Sequence, residues 1–369
     1  MVWPRSLRGK NLLWIVPLIY LLLKIIINPQ PVIGIGGGKV TIGFFNFRDD
    51  QPAGADDYDF VIRPVMRISP YETNLDIRNP LPPLSRDGRG MLHVLGTDHL
   101  GRDVLAGFVS GFELALLIAL LVSLGTGFVS MIMGVQGAYF ARFPLKVSAV
   151  EAGMWILVAI LIALSFGWFL IGALSIISLS GIILCAVLVL SGIRYVSKNK
   201  KRKYRLPVNA LNRQAQEFFQ PVPDLILLLV LITVFDQISL WGLILILILL
   251  RLPAGSWYLQ GQATQFIHQK HIDQARTMGF SGTRIIFRHV MPLMAPSVRV
   301  FMGLTASRAV LSESALAFLG IGPTGGMMSW GSMIRLGLSD LTMWWVSLFP
   351  VLGLVAVAML FMYGSRVDK

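Results

Sequence analysis

MWILVAILIALSFGWFLIGALSIISLSGIILCAVLVLSGI, residues 154–193, contains no charged side chain. A helix that crosses the hydrocarbon core of a bilayer needs about 20 apolar residues, so this stretch reads as two crossings. In lipid each must satisfy its own backbone hydrogen bonds and is therefore helical. Further apolar runs lie on either side, at 12–27, 114–136, 225–235, 238–250, 297–319 and 343–363. Eight spans are expected, 154–172 and 173–193 included. Composition agrees: 369 residues, 55% hydrophobic and 14% charged, against about 25% charged in an ordinary soluble domain.

Charge sets the expected sidedness. The net charge is +13. In a soluble protein that suggests nucleic acid, but in a polytopic chain it reads as positive loops on the cytoplasmic face, and no nucleic-acid partner is expected. Lys198, Lys200, Lys201, Arg202, Lys203 and Arg205 form one such loop. Arg251, Lys270, Arg276, Arg284 and Arg288 follow residue 250. Both belong inside, which makes Asp236-Gln237 a tight outer turn between two spans. Residues 12–27 follow Arg5, Arg8 and Lys10 and lack a small-residue cleavage site, so they read as a retained anchor. The expected organisation is an anchor helix at 1–28, an extracytoplasmic lobe of strands or irregular chain at 29–109, a core helix at 110–141, an inserted hairpin and basic loop at 142–213, and a helical core at 214–369. Trp344 and Trp345 suit the outer interface of the last span. Both termini of this multi-pass chain are expected on the cytoplasmic side.

Three segments are more specific than hydropathy. Gly96-Thr97-Asp98-His99-Leu100-Gly101-Arg102-Asp103-Val104-Leu105 reads as a turn with two glycines, capped by Asp and Thr, with a helix starting near Arg102. His271-Ile272-Asp273-Gln274-Ala275-Arg276-Thr277-Met278-Gly279-Phe280 continues into Ile285-Ile286-Phe287-Arg288-His289-Val290-Met291-Pro292. Here Gly279 can end one short helix in a left-handed conformation, Ser281 can cap the next, and Pro292 can stop it. Glu313-Ser314-Ala315-Leu316-Ala317-Phe318-Leu319-Gly320-Ile321-Gly322 precedes Ser329-Trp330-Gly331. Its glycines allow a sharp reversal, and Trp330 suits a membrane interface.

In this order the segments resemble the G-T-D-x-x-G-R-D-V signature, the E-A-A-x-x-x-G coupling loop and the E-x-x-L-x-F-L-G-x-G…S-W-G pattern of binding-protein-dependent ABC importer permeases. The likeness is to the peptide/nickel branch and to the C-type member of its paired permeases. Asp273 stands where the family has Glu, and Gln274 replaces the first Ala. The resemblance implies an all-α polytopic bundle with a six-helix core of the MetI-like, type I kind, plus the inserted hairpin. It implies coupling to an ATPase through Asp273, Gln274, Ala275, Gly279, Phe280, Ile285 and Pro292 in a loop at 268–292, with the small Ala275 admitting a partner closely. It marks Gly96, Thr97, Asp98, Gly101, Arg102 and Asp103 as an outer-side motif. The implied partners are a second permease subunit, two ATP-binding subunits or domains carrying ATP-Mg, an external solute-binding protein and the bilayer, which the resemblance makes a bacterial inner membrane. This chain is then no enzyme and holds no cofactor of its own; di- or oligopeptides are the expected cargo, with nickel or another small solute as the rival. A channel, a secondary transporter or a scaffold is the competing class; the paired inverted repeats common in secondary transporters are not evident.

Other features read more plainly. Gly34-Ile35-Gly36-Gly37-Gly38-Lys39-Val40 misses a phosphate loop at Ile33 and Val40. His268, His271 and His289 read as a solvated surface rather than a metal site, and Asp49, Asp50, Asp56, Asp57 and Asp59 lack calcium-loop spacing. Cys185 reads as packing. Arg308 and Glu313 fall inside an apolar span, where ionisable groups are expensive; they are candidates for lining or gating a pathway, or for a snorkelling pair. Glu113 and Asp236 read as span ends. The basic run 198–205 serves topology, or holds anionic lipid headgroups.

Overall fold

The computed structural model describes residues 33–36, 39–42, 60–62, 71–74, 79–88, 90–144, 146–148, 203–205, 214, 217, 223, 226, 229–230, 239–322 and 328–365. The expected spans at 12–27, 154–172 and 173–193 lie outside them, as do the acidic cluster at 49–59, Cys185 and Asp236. Of the span at 225–235, Ile226, Leu229 and Val230 are described, as helical and exposed.

Two strands, β1 (Ile33–Gly36) and β2 (Lys39–Ile42), pair antiparallel, and β3 (Phe60–Ile62) pairs with the other edge of β1. Residues 34–36 and 39–40 thus lie in paired strands, whereas a phosphate loop leads from a strand into a helix. A second hairpin joins β4 (Ser85–Arg86) to β5 (Leu92–His93). The long helix α1 (Val104–Arg142) follows. At 1.5 Å per residue its 39 residues measure about 58 Å, roughly twice the hydrocarbon thickness, so α1 must project beyond it. Residues 110–141, expected as the core helix, are therefore too short at the N-terminal end. Glu113 lies inside α1, nine residues from its start, and is buried.

Beyond α1, β6 (Lys146–Ser148) pairs antiparallel with β7 (Lys203–Arg205), where a basic loop was expected. Helix α2 (Leu240–Ile267) continues far past residue 250. The apolar run expected as a span stops at 250, with Arg251 opening the basic segment, yet Arg251 is buried and Pro253 stays within the helix, its carbonyl accepting from Ser256 Oγ at 2.9 Å. Then come α3 (Lys270–Thr277), the single turn α4 (Gly282–Ile285), a π turn at Ile286–Val290, a 3-10 turn at Pro292–Met294 and α5 (Ala295–Phe318). Pro292 does not stop the chain as expected. Lacking an N–H and crowding the preceding turn, it changes the winding from wide π to tight 3-10, and the helical path goes on into α5. The last elements are α6 (Trp330–Ser339), a 3-10 turn at Leu341–Met343 and α7 (Trp344–Gly364). Among the described residues, four helical stretches are long and apolar enough to cross a membrane: Val104–Arg142, Leu240–Ile267, Gly282–Phe318 and Leu341–Gly364.

These elements form two compact units. The first comprises Met1–Gly125, Ser239–Ile248 and Arg299–Lys369. Its core gathers Phe112, Ala115 and Ala119 of α1, Ala306 and Val310 of α5, Trp330 and Met333 of α6, and Trp345, Val346 and Leu354 of α7. Trp330, expected at an interface, is instead buried at its centre. Its indole lies 5.3 Å from the Phe108 ring and 5.8 Å from the Phe112 ring, and its Nε1 donates to the Phe108 carbonyl at 2.9 Å. Glycines make the room: a Cβ at Gly111 or Gly353 would lie 2.5 Å or 3.0 Å from this indole. The second unit comprises Thr126–Ile238 and Leu249–Val298. There α1 and α2 touch backbone to backbone, since a Cβ at Gly134 would stand 2.8 Å from both the Ser256 carbonyl and the Gln260 amide. Close approach at small residues is how helices gain packing in lipid, where hydrophobic burial offers little drive.

Candidate functional site

The second unit presents an elbow built by its own sequence. Helix α3 is amphipathic over only two turns, burying Ile272 and Ala275 and exposing Asp273, Gln274, Thr277 and Met278. It ends in a double reverse hydrogen bond: the Gly279 amide donates to the Arg276 carbonyl at 3.0 Å and the Phe280 amide to the Ala275 carbonyl at 3.1 Å. That closure needs a left-handed residue between them, and Gly279 has φ 83°. Ser281 then caps α4, its Oγ accepting from the Arg284 amide over a long 3.4 Å.

Inward-facing residues hold the elbow. Ile272, Ile285, Ile286, Val290 and Met294 are buried. Ala275, expected to admit a partner, is buried in its own chain, as is Ile285, because positions 272 and 275 share one helical face and 285 lies under the next turn. Pro292 is exposed and Phe280 intermediate; the Phe280 ring stacks 5.9 Å from His289, with the Arg284 guanidinium 4.6 Å over it. His268 is engaged with the Thr264 carbonyl at 2.8 Å. Asp273 also serves the chain itself: Arg142, at the end of α1, reaches its carboxylate at 2.9 Å and also donates to the Ile267 carbonyl. The Arg276 guanidinium sits 3.7 Å over the Phe143 ring. Tyr139 packs its ring 5.1 Å from Phe143 and fills the space beside Gly282. Sequence reading missed Arg142, Phe143 and Tyr139 altogether. They stand more than 120 residues from the elbow, and the one local hint was a basic residue in the last turn of an apolar helix.

The first unit gathers the Gly96–Val104 segment into a self-satisfied turn. Asp98 Oδ1 accepts from the amides of Leu100 at 2.8 Å and Arg102 at 2.9 Å, and its Oδ2 pairs with the Arg102 guanidinium at 2.6 Å. Asp103 caps α1 by accepting from the Ala106 amide at 2.8 Å, while its other oxygen accepts from His93 Nδ1 at 2.8 Å. Thr97 Oγ1 accepts from the Leu81 amide at 2.9 Å. Gly96 and Gly101 adopt φ 81° and 69°. A Cβ at Gly96 would lie 2.8 Å from Trp345 Nε1, which donates to the Thr97 carbonyl at 3.1 Å. Trp345 is thus buried rather than interfacial; Trp344 beside it is exposed. The motif spends its polar groups on fixing the entry of α1. Replacing Asp103 by Ala removes a cap and the acceptor of the His93 Nδ1 hydrogen bond, leaving the Asp87 carboxylate 3.9 Å from the other ring nitrogen. The expected loss is about 2–3 kcal/mol, read as a lowered melting point of the detergent-solubilised protein.

Arg308 and Glu313 are not brought together. Five residues apart on α5, they point to different sides; Arg308 is exposed and Glu313 buried. Glu313 Oε2 accepts from Ser314 Oγ at 3.2 Å. At the mouth of α6, Ser329 and Ser332 form a reciprocal cap. Asp340, outside the spans, has its carboxyl held below the usual range by the Thr342 hydroxyl and amide.

The comparisons with known proteins agree with this geometry. Residues 214–365 match the family described as binding-protein-dependent transport system inner membrane component. The chain is 31% identical over 142 residues to an oligopeptide transport system permease protein of Bacillus subtilis, covering 37% of this chain and 45% of that one. It is 23% identical over 271 residues to a putative peptide transport system permease protein of Brucella suis, covering 73% of this chain and 69% of that one. A glutathione transport system permease protein of Pectobacterium atrosepticum is 29% identical over 111 residues, 30% of this chain and 37% of that one. The match to the Bacillus protein thus spans less than half of that relative's length. The helices α2 to α7 carry the elbow and the reciprocal cap within the matched region, and over those residues the chain is similar to that family.

Proposed function

We propose that the chain is the membrane-spanning permease subunit of an ATP-driven importer and forms half of a pathway for di- or oligopeptides. The observation that carries this reading is the elbow at residues 270–294, inside the family-matched region. It is a short helix, a glycine hinge and a second turn, rigidly clasped to α1 and exposing Gln274, Thr277, Met278 and Phe287. Such a knob can seat in a groove of an ATP-binding subunit on the cytoplasmic side. When ATP closes the paired subunits, the packed elbow moves as one body and the bundle opens outward. Peptide then arrives from an external binding protein, and hydrolysis with product release resets the cycle.

In this mechanism Asp273 and Ala275 position the elbow, and the exposed residues make the docking contacts. ATP and magnesium belong to the partner subunits. A second permease subunit completes the pathway, and Glu313, buried in α5, is the candidate lining or gating group in this half. The names of the relatives favour peptide over nickel as cargo. The test is sidedness with copurification. A cysteine at Thr277 should resist an impermeant thiol reagent in intact cells and react in inside-out vesicles, and the purified chain should bring an ATPase with it. Labelling in intact cells would refute the reading, as would purification without any nucleotide-binding partner.

A further inference from the structure

The last turn of α1 and the residue after it send three side chains to the elbow. Phe143 continues the winding, its amide donating to the Tyr139 carbonyl at 2.8 Å, so its ring stands at a fixed place one turn beyond Tyr139. Tyr139 lies beside Gly282 of α4, where a Cβ would come within 2.8 Å of the phenol oxygen. Phe143 carries the Arg276 guanidinium of α3 at 3.7 Å and that of Arg142 at 5.2 Å. Arg142 divides its fork between two elements. One arm donates to the carbonyl of Ile267, the last residue of α2, and the other reaches the Asp273 carboxylate of α3 at 2.9 Å. A planar guanidinium serves two acceptors in fixed directions at once, which a lysine ammonium on its flexible stem does not.

Only His268 and Gln269 separate α2 from α3, and the helical path runs through Pro292–Met294 into α5. Both α2 and α5 therefore follow the elbow through the backbone. Helix α1 follows it through side chains, since Arg142 and Asp273 are 131 residues apart in the chain. This link adds little to stability. The Arg142 side chain is 25% exposed and that of Asp273 51%, and ion pairs so open to water contribute little. What the link does have is reach: it touches both arms of the elbow, α3 and α4, and the end of α2. Resting on the importer reading above, we infer that Arg142 is a positioning residue for coupling, through which displacement of the elbow is carried into α1. A continuous helix held at its end passes such a shift along its length as one rigid element.

The experiment uses the full complex, purified with its ATPase, reconstituted in liposomes and supplied with its loaded binding protein. It measures labelled dipeptide taken up per ATP hydrolysed, beside the melting point of the same preparation. Arg142→Ala should lower uptake per ATP about tenfold, the scale on which substitutions along a mechanical route change coupling. The ATPase should still copurify, and the melting point should stay near that of wild type. Arg142→Lys keeps the charge but loses the directed fork, and should lose about threefold. The exchange R142D/D273R rebuilds the ion pair in reverse and should couple better than either R142D or D273R alone, because residues in direct contact do not act additively. Unchanged uptake per ATP in R142A overturns the inference, and so do losses that simply add in the exchange. A fall in melting point that tracks the lost uptake in R142A and R142K alike also overturns it, since the contact would then be structural. A wild-type preparation without any ATPase defeats the importer reading and this inference together. A wild type that transports, matched by R142A, defeats this inference alone.

Discussion

Replacing Gly279 by Pro should abolish transport-coupled ATP hydrolysis while leaving the chain in the membrane. Two independent losses act at this residue. Proline fixes φ near −65°, whereas the hinge has φ 83°. Proline also has no amide hydrogen, and the Gly279 amide donates to the Arg276 carbonyl at 3.0 Å. A left-handed position refilled by an L-residue costs about 1–2 kcal/mol, and the lost hydrogen bond adds about 1 kcal/mol. These sums fall on an eight-residue helix with few buried side chains of its own, Ile272 and Ala275. The elbow should lose its fixed shape before the bundle loses its fold. Stimulation of ATPase activity by the loaded binding protein should drop at least tenfold, with membrane abundance within twofold of wild type. Gly279→Ala, which keeps the amide, should fall between. Normal stimulation in Gly279→Pro would sink the assignment of the elbow as the coupling element.

The second large effect is expected at Trp330. The side chain is 1% exposed, flanked by Phe108 and Phe112, and hydrogen-bonded to the Phe108 carbonyl. Truncation to Ala removes the largest object in the first unit's core and leaves a hole against Gly111 and Gly353, which cannot collapse to fill it. Large aromatic deletions of this kind cost about 3–5 kcal/mol. That is a large share of the roughly 5–15 kcal/mol by which a folded protein is stable. Trp330→Ala should therefore reduce the folded protein recovered in mild detergent several-fold. Trp330→Phe, which keeps a ring but not the donor, should be milder. If the Ala variant melted within a few degrees of wild type, the core placement of this indole would be wrong. The same residue at a membrane interface, as its sequence context suggested, would tolerate Phe or Tyr with little change.

Several local features were legible because they depend on neighbours in sequence. The left-handed Gly279, the cap at Ser281, the turn at Gly96–Asp103 and the long apolar helices each follow from a few adjacent residues. Backbone sterics and hydrogen-bond closure act over four to six positions. The end of α2 was not legible in the same way. Arg251 and Pro253 resemble a helix exit, but a buried environment and a tolerated proline carry the helix on to Ile267. Pro292 was read as a stop for a similar reason. The chain absorbs it by widening one turn and tightening the next, a choice that tertiary packing of Ile286, Val290 and Met294 stabilises.

The sequence by itself determined that this chain lives in a membrane and is helical there. Charge-free runs have one low-energy outcome in lipid, and it needs no partner to specify it. It also determined the hinge of the elbow, because only glycine takes that conformation cheaply. The tertiary structure alone decided which side of each short helix is available to a partner. Ala275 turned inward, Asp273 engaged Arg142, and two of the three tryptophans expected at the membrane surface, Trp330 and Trp345, went into the core. Those outcomes depend on residues more than one hundred positions apart meeting in space. No spacing rule encodes such a meeting, since it is fixed by how closely Gly111, Gly134 and Gly353 let their helices approach.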